Sequence, residues 1–351
     1  MAANAPILKV ASLNMGYNVM CNRVKGSEAP FVALCQSVYP KYGGWANQDA
    51  AISAGTYNSA VFLSDYDLFG LQEINVKYQE PFEDVLISIG EEKHRDYRFI
   101  NSYYFGGWAV TVGYDQNKLG EGVQITPNDF SLGSSRPRGL QAVYFPDHEL
   151  LFINLHAPHN INLKQELDYK GKQIEKFFAE AFGDTEYKVK RIIMAGDFND
   201  DSGSLLNQTI NMFGLNIKLP VPGHKVPKTC CTDTNYIYVG DYILDSNPNN
   251  GNIYFGLPLG YNRKTDLYSD HDPVVLIDDS GLKSASYVKQ DTLIYKISAH
   301  DILEASTIRD HPNKTRSLRI ISDGTHIVQL GLVNDEELNQ LVKMLDLKIV
   351  I

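Results

Sequence analysis

A series of short apolar runs that end in a polar residue sets the tightest limit on what this chain folds into. Lys9-Val-Ala-Ser-Leu-Asn14, Tyr66-Asp-Leu-Phe-Gly-Leu-Gln-Glu73, Leu150-Leu-Phe-Ile-Asn-Leu-His156 and Arg191-Ile-Ile-Met-Ala-Gly-Asp197 each close on an amide, a carboxylate or an imidazole. Tyr242-Ile-Leu-Asp245 follows Asp241, and Pro273-Val-Val-Leu-Ile277 follows Asp270-His271. Runs this short and this continuous suit strands covered on both faces. Further strands are expected at Trp108–Tyr114 and Leu140–Phe145. The clearest helix starts after Asn162, where Asn162-Leu-Lys-Gln165 resembles a capping box. Leu163, Leu167, Ile174, Phe177, Phe178 and Ala181 then fall at helical spacing through Phe182, a stripe for packing on a sheet. Strands alternating with helices point to a layered α/β or α+β domain.

With 351 residues, 43% of them hydrophobic, the chain has room for one large domain and a small one. After Asp279-Ser-Gly281 the pattern changes to short alternating runs at Asp291–Ile297, Ile302–Ile308, Ser317–Ser322 and Thr325–Leu332. A closing amphipathic helix is expected over Asp335–Leu345. The division expected is a catalytic domain over 1–280 and a small β-rich unit over 281–351. In pattern alone the second resembles a pleckstrin-homology-like module, and it offers a place for a protein partner. Residues 15–65 and 245–264 read as long inserts beside the strands that end in polar groups, where loops often carry specificity.

The net charge is −10, and residues 281–351 hold nine basic and nine acidic side chains, so the first 280 carry all of it. That argues against a surface built to grip long nucleic acid without sequence preference. No run is long and apolar enough for a membrane span, and the start lacks the basic-then-apolar pattern of a secretory signal, so an intracellular location is expected. The cysteines, Cys21, Cys35, Cys230 and Cys231, have no zinc-ligand spacing and are expected to be free thiols.

Taken singly, the polar termini are weak signals. Gly196-Asp-Phe-Asn199 offers a hard oxygen ligand and a neutral amide two residues apart, which an ordinary turn also does. Ser269-Asp-His-Asp-Pro273 sets a histidine beside carboxylates, suited to proton transfer near neutral pH. Asn14, Gln72 and Glu73 would each serve as caps or turn residues. Asp200 and Asp201 read as a solvated turn and His159 as a loop histidine. Trp45, Trp108 and the 21 tyrosines read mainly as core, with base stacking the minority use.

In combination and in this order they say more. Ser-Leu-Asn14, Leu-Gln-Glu73, Asn-Leu-His156, Gly-Asp197-Phe-Asn199, Asp241-Tyr-Ile-Leu and Ser-Asp270-His271 resemble the endonuclease/exonuclease/phosphatase family, also called deoxyribonuclease-I-like, from about Lys9 to Ile277. The resemblance implies a four-layer α-β-β-α sandwich of two mixed sheets with its site at one end. The small C-terminal β-rich addition lies outside it. It implies Mg²⁺ or Mn²⁺ on Glu73, with Asn14 and Asp270 beside it. Asp197 and Asn199 match the pair that orients the attacking water and the phosphate. His271 matches the phosphate-contacting or proton-transferring histidine, and Asp241 the carboxylate that orients it. His156 matches a position near the leaving group. Arg138, and Asn14 again, match phosphate-binding positions, with Arg136 competing for the first.

The function implied is divalent-metal-dependent phosphoester hydrolysis, first as a nuclease or nucleic-acid end-processing phosphodiesterase. Short strands, ends or nucleotides suit an acidic chain best. The alternatives are a phosphatase or phosphodiesterase acting on an inositol phosphate or phospholipid, and a non-catalytic binding module. Phosphatase members carry a Cys-Asp-Arg signature upstream of the Asp241 position. Here Cys230-Cys231 is followed by Thr232-Asp233 and no arginine, which argues against an inositol-polyphosphate phosphatase.

Overall fold

The computed structural model describes residues 8–16 and most of 56–278. The stretches 184–187, 201–202, 221–226, 231–237, 248–252, 259–260 and 262–268 and positions 57, 105, 135 and 160 lie outside the description. Beyond 278 it describes the backbone of six strands. Most of the 15–65 insert, Trp45, Asp201 and the helix expected over Asp335–Leu345 therefore lie outside the described residues.

Two mixed sheets pack face to face. The first holds β1 (Leu8–Asn14), β2 (Leu68–Asn75), β3 (Tyr97–Tyr104), β4 (Trp108–Asp115), β13 (Ile253–Gly256) and β14 (Val274–Asp278), in the order β13-β14-β1-β2-β4-β3. The second holds β5 (Val123–Gln124), β7 (Arg138–Phe145), β8 (Leu150–His156), β9 (Arg191–Asp197) and β12 (Asp241–Asp245), in the order β12-β9-β8-β7-β5. The short β6 (Ser131–Leu132) lies on β7. β10 (Ile210–Met212) and β11 (Leu215–Ile217) form a separate hairpin.

Each large sheet has one parallel pair at its heart, β1 with β2 and β8 with β9. The carboxyl ends of both pairs meet at one pole, so Asn14, Glu73, His156 and Asp197 arrive there together. The antiparallel neighbours start at that pole: Asp241 pairs with Asp197, and Val274 pairs with Ser12.

Helix α1 (Val76–Glu92) covers the first sheet through Phe82 and Leu86, a short α2 (Gln116–Leu119) follows β4, and α3 (Leu163–Phe182) covers the second sheet through Leu167, Ile174 and Phe178. The cap expected for α3 is present: the Asn162 side chain accepts from the Gln165 N–H. Between the sheets lies a third apolar layer, including Val10, Leu68, Val112, Val143, Phe152, Ile193 and Leu276. Three cores thus separate four layers, helix, sheet, sheet and helix. The last 71 residues contribute a β15–β16 hairpin (Ser284–Gln290, Leu293–Ser298). They also contribute a four-stranded sheet of β17 (Glu304–Ile308), β18 (Arg316–Ser322), β19 (His326–Val333) and β20 (Ile349–Val350).

Opposite the polar pole the two sheets are tied by charge. Arg191, at the start of β9, bonds both oxygens of buried Asp245 on β12 and reaches across to Asp278 on β14 of the other sheet. Both carboxylates are almost fully buried. Burial alone would weaken the guanidinium charge, but the two aspartates reverse this and hold its pKa above the ordinary arginine value. Arg191→Met is expected to destabilise the fold by about 3–5 kcal/mol, since it leaves two buried carboxylates without their cation. Denaturant unfolding checks this, and a loss below about 1 kcal/mol contradicts the clamp.

Candidate active site

The site is built where both parallel pairs end. Asp197 is its centre. Its Oδ2 accepts from Asn14 Nδ2 at 2.9 Å and lies 3.7 Å from His156 Nε2 and 3.9 Å from His271 Nε2. Its Oδ1 accepts from the Asn199 backbone N–H at 2.9 Å. Asn199 adopts a left-handed conformation (φ 46°), and its side-chain amide donates to the Ala157 carbonyl, so the turn after β9 is locked to the end of β8. Asp197, His156 and Asp241 are nearly inaccessible to solvent.

Glu73 reaches the pole through a defect in β2. The register with β4 runs to Leu71↔Thr111 and resumes at Ile74↔Ala109, so β2 holds one extra residue. Glu73 sits in this bulge with φ 53°, a region that few non-glycine residues adopt. Strand β2 therefore continues to Asn75, past the end expected from sequence. Burial, with Asp270 and Asp197 close by, pushes the Glu73 carboxyl up to about 7, against a lowering pull from His271 and Arg138. Asp270 is also raised, by burial first and then by Asp197, although His271 and the Ser269 hydroxyl oppose it. Gly16 makes room for it. A Cβ on Gly16 would lie 2.4 Å from Asp270 Oδ1, and its φ of +56° also disfavours a side chain. Asn14 Oδ1 accepts the Gly16 N–H, so β1 turns away under its own side chain.

The two histidines are tuned in opposite directions. His271 Nδ1 pairs with Asp241 Oδ2 at 2.9 Å. Burial disfavours its charge, but Asp241, with Asp197 and Asp270, overrides this and holds His271 well above 6.5. His156 has no such partner at its Nδ1, which meets the Tyr104 hydroxyl at 3.1 Å. Burial, with the positive charges of Arg138 and His271 adding to it, outweighs Asp197 and lowers His156 to about 3. At 3.7 Å from Glu73 and from Asp197 it is therefore a neutral ring and not the partner of an ion pair. Because carboxylates face Nε2, the proton belongs on Nε2 and the Tyr104 hydroxyl donates to Nδ1.

All nine residues singled out from the sequence belong to described segments. The hydrogen bonds and short contacts above join Asn14, Glu73, His156, Asp197, Asn199, Asp241 and His271 into one cluster. Asp270 and Arg138 join them through their charges, Asp270 at Glu73 and His271 and Arg138 at Glu73, Tyr104 and His156. Arg136 and His159 are exposed, and Trp108 is core.

Two expectations change. Asp200 is not a solvated acid: it is buried, and its carboxylate accepts from the Leu205 N–H and the Ser204 hydroxyl, capping the turn that follows. Cys230 is not a free thiol but disulfide-bonded. The other three cysteines lie outside the described residues. Spacing along the chain cannot show which thiols a fold brings within bonding distance, and here folding decides it.

Residues the sequence did not point to also matter. Tyr104 ends an unexpected strand, β3. Thr229 is fully buried, and its Oγ1 accepts from the Gly240 and Asp241 N–H groups while its carbonyl accepts from Asp272. It thereby ties both ends of the Asp241–His271 pair together. No local signal marks a lone Thr or Tyr for such work.

The donor set fits a hard divalent ion. The Asp270 charge helps to raise the Glu73 carboxyl, burial raises both, and a cation between them would relieve that penalty. Asp197, Asp241 and His271 also offer ligand atoms within 4.8 Å of one another. The Nδ1 of His271 is committed to Asp241, although Asp241 Oδ1 is buried and has no hydrogen-bond partner among the described residues.

No family model matches the chain, and no curated protein does. Solved structures do. Truncated Caenorhabditis elegans TDP2 matches at 14% identity and TM-score 0.46, covering 78% of this chain and 97% of that one. An endonuclease/exonuclease/phosphatase from Bacteroides vulgatus matches at 14% and 0.45, covering 78% and 98%. D. rerio TDP2 complexed with a single-strand DNA product matches at 15% and 0.46, covering 78% and 99%. These values concern the chain trace and say nothing of activity. The topology itself, two mixed sheets packed between helices, is the four-layer fold that the endonuclease/exonuclease/phosphatase resemblance implies. No helix among the described residues is long and apolar enough to cross a membrane.

Proposed function

We propose that this chain is a divalent-metal-dependent phosphoesterase that hydrolyses phosphodiester bonds in nucleic-acid ends, short single strands or nucleotides. The observation that carries the reading is the focus on Asp197 Oδ2, where Asn14 from one sheet, His156 from the other and His271 from a loop converge within 3.9 Å. Hydrolysis of a phosphate ester needs a base for water, donors for the phosphate oxygens and help for the leaving oxygen. Asp197, held at both oxygens, orients the attacking water. His271, kept cationic by Asp241, donates to a phosphate oxygen together with Arg138 and Asn199. His156, neutral and fixed by Tyr104, presents its Nε2–H toward the leaving group. Mg²⁺ or Mn²⁺ held by Glu73 and Asp270, with Asn14 alongside, would neutralise the charge that develops on the phosphate. A net charge of −10 supports short or terminal substrates over long duplex.

A hydrolysis panel with Mg²⁺, Mn²⁺ or EDTA, run on wild type and Asp197→Asn, tests this. Its substrates are single- and double-stranded DNA, RNA, end-blocked oligonucleotides, cyclic dinucleotides and inositol phosphates. The expected result is EDTA-sensitive cleavage of short or end-blocked strands that disappears in Asp197→Asn. Cleavage that survives both EDTA and Asp197→Asn contradicts the mechanism. Cleavage confined to inositol phosphates moves the substrate to the phosphatase class.

A further inference from the structure

The strain at Glu73 raises the question of what holds the bulge in place. A bulge leaves ladder groups unpaired, and a left-handed glutamate persists only where its surroundings impose it. Two carbonyls beside this bulge, those of Leu71 and Thr111, both accept from one side-chain amide, Asn154 Nδ2, at 2.9 Å each. Asn154 is not on either strand of the pair. It lies on β8, in the opposing sheet, and is fully buried. Its remaining polar atom, Oδ1, accepts from Gln72 Nε2 at 2.7 Å, and Gln72 is the other residue of the bulge. The same Gln72 nitrogen meets Ser12 Oγ on β1 at 3.2 Å. Gly70 leaves the space for Asn154: a Cβ there would lie 2.5 Å from Asn154 Oδ1. Both ends of the Asn154 amide are thus spent on the bulge, from across the sandwich.

We propose that Asn154, seated over Gly70 and bonded to Gln72, is a cross-sheet clip that sets the backbone of Glu73 and so aims its carboxylate at the ion. Asn154 and Gln72 are positioning residues, since neither is placed on ion or substrate. The inference rests on the assignment of Glu73 as an ion ligand. It adds a reason for the distance between the sheets to matter to the site: the residue that aims Glu73 belongs to the strand that ends in His156. One packed contact therefore registers the two halves of the site against each other.

The test uses the full chain as wild type, Asn154→Leu, Gln72→Met and, as a control at the far pole, Arg191→Met. Mn²⁺ binding is read by calorimetry without substrate. Hydrogen exchange across residues 70–75 is read in EDTA, and thermal stability alongside. Asn154→Leu is expected to weaken Mn²⁺ binding by about 10–100-fold, the scale of losing an outer partner of a metal ligand. It is also expected to speed exchange at the bulge in EDTA. Arg191→Met should lose stability yet bind Mn²⁺ as wild type does. Should Asn154→Leu not fold, Gln72→Met, which keeps both carbonyl bonds, decides with the same readouts. A variant that loses stability but keeps wild-type Mn²⁺ affinity and wild-type exchange at 70–75 overturns the clip. If wild type takes up no Mn²⁺, the ion assignment falls and exchange alone decides the clip: faster exchange in the variant supports it, unchanged exchange overturns it.

Discussion

Glu73→Gln is expected to lower metal-dependent turnover by about three orders of magnitude, the scale of several kcal/mol of lost charge stabilisation, while the fold survives. The substitution keeps the shape and removes the charge. The same change has an opposite, measurable effect on stability. In wild type the folded-state carboxyl is raised from 4.5 to about 7, by burial first and then by Asp270 and Asp197. The folded protein therefore holds a proton there that the unfolded chain has released, and stability falls as pH rises from the ordinary value through about 7. A neutral glutamine escapes that loss. In EDTA, Glu73→Gln should melt higher than wild type above neutral pH, with the gap shrinking toward about pH 5, as for many residues that function selects against stability. Wild-type turnover in the variant removes Glu73 from the ion. An unchanged melting difference across this pH range contradicts the burial of its charge.

His271→Ala is expected to reduce the rate by about 100-fold or more, the effect of losing a proton-handling or charge-donating group at the reacting centre. A fall of less than about threefold takes His271 out of the mechanism. Asp241 sharpens the test. Burial by itself depresses the imidazole, and the Asp241 charge and hydrogen bond reverse it. If the cationic ring acts on the phosphate, activity is present below its raised pKa and lost as pH climbs through it. Asp241→Asn should then move the alkaline limb of the pH profile to lower pH, because burial is left with less opposition. A limb that stays in place assigns it to another group.

Much of this was legible from runs of residues. Strands β8 and β9 begin and end where their apolar runs do, and α3 starts at the predicted cap. Helix α1 is masked in the sequence, although Phe82, Leu86 and their neighbours carry its buried stripe, because Pro81 interrupts an otherwise helical segment. Strand β3 has no clear mark in the sequence either: only Tyr97 and Ser102 are buried, and Tyr, Arg, Asn and Ser break the alternation that marks a strand.

The sequence by itself carried the polar strand ends and, through the resemblance they make in that order, the four-layer class and nine candidate residues, because a polar residue closing an apolar run is a local pattern. A strand that stops on a carboxylate announces itself within a few positions. Only the tertiary structure decided what surrounds each of these residues. The two histidines look alike in sequence. His271 is held above the ordinary histidine value beside Asp241 and His156 is lowered beside Tyr104, because burial penalises both charges and only His271 is hydrogen-bonded to a carboxylate. Likewise nothing near Glu73 in the chain reveals that its bulge is held from the opposite sheet by Asn154. Hydrogen bonds between residues 83 positions apart follow from how two sheets are stacked, and a linear pattern carries no record of that distance.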